Sequence, residues 1–153
     1  MKKRIRIYIY IIAVLLMGTI LASAALASQI NWYSYEEGMA LGLSENKKVF
    51  ISFYADWCKF CKTMDRKTFQ NGEIISYLNA NFISIKVNVE REKSVAREYN
   101  INPLPDSWFL SEKGDVIGNK PGYLTAEDLM PVLQFIHTDS FQKMSYRQFK
   151  ESL

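Results

Sequence analysis

Two apolar runs of strand length dominate the middle of the chain, KVFISFYA at residues 48–55 and FISIKVNV at residues 82–89. Both are rich in β-branched and aromatic residues. The first is nearly continuous, as in a buried strand, and the second alternates with period two. Between them, residues 58–69 contain neither Gly nor Pro and suit a helix, and Asn71 is placed to cap a second helical piece through Leu78. Upstream, Ser34-Tyr35-Glu36-Glu37 has the form of a capping box and opens a helix to about Leu43. Downstream, residues 90–99 are polar and helical in character, until Asn100-Ile101-Asn102-Pro103-Leu104-Pro105 stops the helix.

Residues 107–110 read as a short strand, Glu112-Lys113-Gly114-Asp115 as a turn, and Val116 and Ile117 as the start of a returning strand, giving a hairpin. Thr125-Ala126-Glu127-Asp128 fits the capping pattern with Asp in place of Glu, and Leu129, Leu133 and Ile136 follow at helical spacing. Pro131 lies inside that pattern, so the helix either contains it or starts late. Phe141, Tyr146, Phe149 and Leu153 give residues 139–153 enough apolar surface for a small docking helix but too little for a domain. Parallel strands joined by helical crossovers and followed by an antiparallel pair predict an α/β architecture, a mixed central sheet flanked by helices.

Composition agrees with one packed domain: 153 residues, 48% hydrophobic and 14% aromatic, with no repeat or low-complexity linker after residue 28. The formal charge of +3 is misleading. Lys2, Lys3, Arg4 and Arg6 supply four of the nineteen basic residues, and no acid accompanies them. The remainder carries fifteen basic against sixteen acidic residues, about −1, which argues against a nucleic-acid-binding protein. Those four cations precede an apolar run to about Leu21 and a small-residue zone, Ala22-Ser23-Ala24-Ala25-Leu26-Ala27. This is the order of an export signal with cleavage after Ala27. An uncleaved anchor is the alternative, because about 20 apolar residues span a bilayer; only then is the membrane a partner. Either way the rest of the chain lies outside the cytoplasm, periplasmic or otherwise extracytoplasmic, where a disulfide persists.

The chemistry concentrates in Tyr54-Ala55-Asp56-Trp57-Cys58-Lys59-Phe60-Cys61-Lys62. A C-x-x-C between a strand and a helix sets Cys58 at the helix N-terminus, where unpaired N–H groups and the helix dipole stabilise a thiolate. Cys58 is thus the attacking sulfur, and Cys61, one turn on, faces the same way and resolves the mixed disulfide. Lys59 adds a positive charge that favours the thiolate. A structural bridge over so small a loop stabilises little. Two Cys and the single His137 do not complete a metal site, and Lys62 stands where a c-type haem would need His. No metal or cofactor beyond the redox-active Cys58–Cys61 disulfide is expected. Trp57 and Phe60 are placed beside the sulfurs as an apolar rim for protein substrates. Trp32, Tyr33, Tyr35, Phe50, Phe53, Phe82 and Phe109 are read as packing residues.

These residues resemble the thioredoxin superfamily, and most of all the C-terminal periplasmic domain of DsbD-type thiol:disulfide interchange proteins and small exported thioredoxin-like proteins. The likeness runs from about Trp32 to Ile136 and includes Phe53-Tyr54-Ala55-Asp56-Trp57-Cys58, Thr68-Phe69, Lys86-Val87-Asn88-Val89, Leu104-Pro105 and Gly122-Tyr123. It implies a thioredoxin fold over residues 28–138, after a leader at 1–27 and before a C-terminal helical extension at 139–153. It implies that Pro105 is a cis-proline facing the Cys pair and that Leu104 offers backbone hydrogen bonds to an extended substrate. It also exposes departures. Ser52 stands where thioredoxins usually carry a buried acid that accepts the proton of the resolving thiol, which leaves Lys86 without its usual partner. Asp65, one turn beyond Cys61, is the replacement that the DsbD-type likeness suggests; an ordinary solvated helix acid is the alternative. Asp106 stands where Thr is common, and either opposes thiolate formation or selects basic substrates.

The activity implied is protein-disulfide reduction by an exported thiol–disulfide oxidoreductase, with protein disulfides as substrates and a membrane thiol transporter as electron donor. A thiol oxidase or isomerase would use the same residues, and a thioredoxin-like binding or copper-handling assembly factor is the reading from another class.

Overall fold

The computed structural model describes residues 29–153. The leader expected over residues 1–27 lies outside them. Five strands form one sheet: β1 (Trp32–Tyr33), β2 (Lys48–Tyr54), β3 (Phe82–Asn88), β4 (Asp106–Leu110) and β5 (Val116–Pro121). Their spatial order is β1-β3-β2-β4-β5. β1, β3 and β2 run parallel, and β4 and β5 close the sheet antiparallel, the mixed arrangement expected from the crossover pattern. Six helices accompany the sheet: α1 (Tyr35–Glu45), α2 (Lys59–Lys67), α3 (Gly72–Asn81), α4 (Lys93–Glu98), α5 (Ala126–His137) and α6 (Tyr146–Glu151).

Helix starts follow their caps. Asn71 Oδ1 accepts from the N–H groups of Glu73 and Ile74, and Thr125 Oγ1 accepts from that of Asp128. At α1 only half of the expected box forms: Ser34 Oγ accepts from Glu37 N–H at 3.4 Å. Pro131 lies within α5, and the residue whose carbonyl loses its donor, Glu127, is exposed to water. β3 departs from its alternating pattern, since every residue except Lys86 is buried. A parallel strand between two neighbours, covered by helices on both faces, has no solvent side.

The core is double. On one face Phe50, Phe69, Phe82 and Phe109 pack with Met64 of α2, Ile74 and Leu78 of α3, and Leu129 and Leu133 of α5. On the other, Ile51, Phe53, Ile85 and Val87 pack with Tyr99 under α1 and α4. α1 approaches β3 closely at Gly38, where a Cβ would lie 2.3 Å from Ile85 Cγ1. Residues beyond α5 fold back on it: Phe135 meets Phe141, Tyr146 and Phe149 at ring separations of 6.4, 5.5 and 5.3 Å. Lys48, buried at the start of β2, pairs with Glu112 of the hairpin turn at 2.5 Å and with Asp139 at 3.1 Å. Burial alone lowers the Lys48 pKa, but these two carboxylates outweigh it and hold the ammonium above its ordinary value.

Candidate functional site

β2 delivers the chain to the site and α2 takes it away. Ala55, buried, accepts a hydrogen bond from Cys58 N–H at 3.1 Å, closing the turn through Asp56 and Trp57. Cys58 is the N-cap of α2, and its sulfur accepts from Cys61 N–H at 3.1 Å. The two cysteines are joined in a disulfide with a Cα separation of 5.3 Å, and each is only 4% exposed. Cys61 N–H is aimed at the N-cap sulfur, the kind of donor that stabilises a thiolate at a helix N-terminus.

Leu104 packs against the two cysteines and Ala55, with Tyr54 and Val89. The peptides Asn102–Pro103 and Leu104–Pro105 are both cis. Pro105 is buried, and its carbonyl accepts from Gly122 N–H at 2.7 Å, which pins this loop to the end of β5. Trp57 and Phe60 are 69% and 61% exposed, large apolar side chains left in water on either side of Cys58. Lys59, the first residue of α2, is exposed beside them. The structure therefore gathers Cys58, Cys61 and Leu104 in one contact cluster, with Trp57, Lys59, Phe60 and Pro105 adjoining in the chain.

Asp65 and Lys86, separate in sequence, are partners: Lys86 Nζ donates to Asp65 Oδ1 at 2.6 Å. The same ammonium lies 5.0 Å from the centre of the Tyr54 ring and 5.4 Å from that of Trp32. In the sheet, Ser52 is in register with Lys86 on one side and Ser107 on the other, so a polar row crosses the sheet on the α2 side. Among the described residues the buried Ser107 hydroxyl has no hydrogen-bond partner.

Of the two roles left open for Asp106, its surroundings argue against the selection of basic substrates. The residue is 2% exposed, with Oδ2 accepting from Trp108 Nε1 at 2.9 Å and both oxygens accepting from Asn119 Nδ2 at 3.1 Å. A carboxyl so enclosed does not present itself to basic substrates. Burial pushes its pKa up, partly opposed by the Trp108, Asn119 and Ser107 N–H donors. A raised folded-state value means the folded protein holds the proton more tightly. Its contribution is therefore greatest below the ordinary value of 3.8 and declines as pH rises through the folded-state value. Asp106→Ala strands the indole and amide donors and is expected to lower stability by about 1–3 kcal/mol in urea unfolding. Asp106→Asn is expected to remove the acid-side rise from the stability–pH curve; a curve parallel to that of the parent protein would show that Asp106 is not the group responsible.

Asn88 is a site-organising residue that sequence reasoning passed over. Buried at the end of β3, it accepts from Glu90 N–H at 2.9 Å and donates to Asp56 Oδ1 at 3.2 Å, while Arg91 Nη2 donates to Asp56 Oδ2 at 2.9 Å. The loop after β3 is thereby fastened to the turn before Cys58. An Asn closing a strand is a turn signal that could have marked it. Among the described residues no three His, Cys, Asp or Glu side chains gather as a metal site would require. His137 meets Tyr77 instead, with Nδ1 3.0 Å from the phenol oxygen.

The sequence pattern of the thioredoxin-like domain family matches residues 35–137. Thioredoxin-T of Drosophila melanogaster is 37% identical over 68 residues, 44% of this chain and 41% of that protein. The thiol:disulfide interchange protein DsbD of Photorhabdus laumondii is 28% identical over 90 residues, 57% of this chain and 15% of that protein. The chain thus spans less than half the length of either relative. Among solved structures, a thioredoxin from Thermus thermophilus superposes with a TM-score of 0.64 at 23% identity, over 69% of this chain and 85% of that one. At that identity the likeness speaks for the fold alone.

Proposed function

This chain belongs to the thioredoxin-like domain family, and from that premise we propose that it is an exported protein-disulfide reductase working through the Cys58–Cys61 dithiol. The observation that carries the reading is the disulfide at the N-terminus of α2, directly after β2 and rimmed by exposed Trp57 and Phe60. The reduced Cys58 thiolate attacks one sulfur of a substrate disulfide; that S–S bond breaks, a mixed disulfide forms, and the departing sulfur takes up a proton. Cys61, losing its proton, attacks Cys58 Sγ and releases the second substrate thiol. Two electrons have then passed to the substrate and the Cys58–Cys61 bond is restored. Lys59 favours the thiolate by charge, and Leu104 and Pro105 line an extended substrate backbone. Asp65, set one turn beyond Cys61 and held by Lys86, is the proposed acceptor for the Cys61 proton.

Export is supported by the basic, apolar and small-residue order of residues 1–27. The electron donor proposed is a membrane thiol transporter. Among the described residues no helix is long and apolar enough to cross a membrane. Direction is tested by the reduction potential of the pair in defined thiol buffers. A value near about −270 mV, as in thioredoxin, is expected of a reductant supplied with electrons, whereas about −120 mV would make the protein an oxidant.

A further inference from the structure

The exposed face of α2 carries charge that the fold does not use. Lys59, Lys62, Arg66 and Lys67 are all exposed, and the first three stand at i, i+3 and i+7, one stripe down the helix. Among the described residues none of the four enters an ion pair, and the single acid of this helix, Asp65, is taken by Lys86. For the start of the helix the arrangement is unfavourable. Lys59 and Lys62 in the first turn oppose the dipole and Lys62 and Arg66 form a like-charged i, i+4 pair, whereas Arg66 and Lys67 in the last turn suit the dipole. Three other helices do the opposite and open on acids: Glu36 and Glu37 in α1, Glu73 in α3, Glu127 and Asp128 in α5. Among the described helices of eight or more residues, the one that starts at the reacting sulfur alone opens on lysines, while the six-residue α4 opens on Lys93. A local penalty kept beside a reactive group marks a functional demand.

We propose that this basic stripe, headed by Trp57 and Phe60, is the docking face for protein substrates whose disulfide is flanked by acidic residues. The inference rests on the dithiol reading above and adds to it the class of substrate. With the backbone on one side of the substrate sulfur along Leu104 and Pro105, the residues on its other side pass the head of α2, where carboxylates meet Lys59, Lys62 and Arg66. Trp57 and Phe60 supply apolar contact at the point of attack. Opposite charge of this kind acts chiefly on encounter, raising the association rate and weakening with salt.

The test uses the full reduced chain and two cystine peptides of equal length and apolar content, one with Glu beside each half-cystine and one with Lys. At low ionic strength the acidic peptide is expected to react about tenfold or more faster. In about 1 M salt, where the Debye length is about 3 Å, the preference is expected to vanish. The double variant Lys62→Glu, Arg66→Glu is expected to reverse it. The ratio between peptides is the readout because a change in the reactivity of Cys58 moves both rates together. Equal rates at low salt, with exchange intact, would overturn the docking face and leave the dithiol reading standing. No exchange with either peptide would overturn both. Equal peptide rates together with salt-dependent binding to vesicles of anionic lipid would give the stripe to a membrane surface instead, and also overturn the inference.

Discussion

Cys58→Ser is expected to reduce disulfide exchange on the order of a thousandfold or more, the scale on which loss of a covalent nucleophile acts. The serine hydroxyl keeps the N-cap hydrogen bond that Cys61 N–H now makes to the sulfur, so folding is expected to survive and the loss to be chemical. Cys61→Ser separates the two sulfurs. Cys58 still attacks, but no second thiol releases the product, so mixed disulfides accumulate and non-reducing electrophoresis with mass spectrometry reads them at Cys58. Trapping at Cys61 in Cys58→Ser at the rate expected for Cys58, with no mixed disulfide at Cys58 in Cys61→Ser, would reverse the assignment of roles.

The second large effect falls on stability. Phe50 is fully buried, and its ring stands 5.6 Å from Phe109, 6.1 Å from Phe69 and 6.2 Å from Trp32. It lies in β2 at the centre of the face that receives α2, α3 and α5. Phe50→Ala removes most of a ring from a place where close-packed neighbours relax only in part, and about 3–5 kcal/mol is expected to be lost. Natural domains hold about 5–15 kcal/mol in all, so the variant sits near unfolding. Urea titration measures it; a loss under about 1 kcal/mol would mean that the aromatic cluster closes over the gap. Because Met64 and Phe69 bear on the same cluster from α2 and the residues after it, partial loss of exchange activity in step with stability is expected too.

Much of this was legible in the chain. The Cys pair, the strands at residues 48 and 82, and the caps at Ser34, Asn71 and Thr125 are local signals whose physics is contained in a few neighbours. What escaped is what only tertiary contact creates. β1 is two residues, Trp32 and Tyr33, too short for any period, and exists because β3 offers an edge beside Ser84 and Ile85. The pairing of Asp65 with Lys86 spans 21 positions, so the sequence could offer Asp65 as a replacement acid without showing that it meets Lys86. The sequence left two roles open for Asp106, and its burial, which bears on both, depends on Trp108 and on Asn119 of the neighbouring strand. Charge along α2 was also invisible to a net count near neutrality, since the acids that balance it lie elsewhere in the chain.

The bond between Lys48 and Asp139 bears on where the unit of inheritance ends and the unit of folding begins. The family pattern stops at residue 137, yet two residues later comes a carboxylate held by the first residue of the central strand β2. Beyond it Phe141, Tyr146 and Phe149 close over Phe135. A graft trimmed at the family boundary would carry every reacting atom and leave behind one of the two anions that neutralise a buried ammonium. Transplanting this activity into another protein therefore means moving the chain through Phe149, because the tail has become part of the wall.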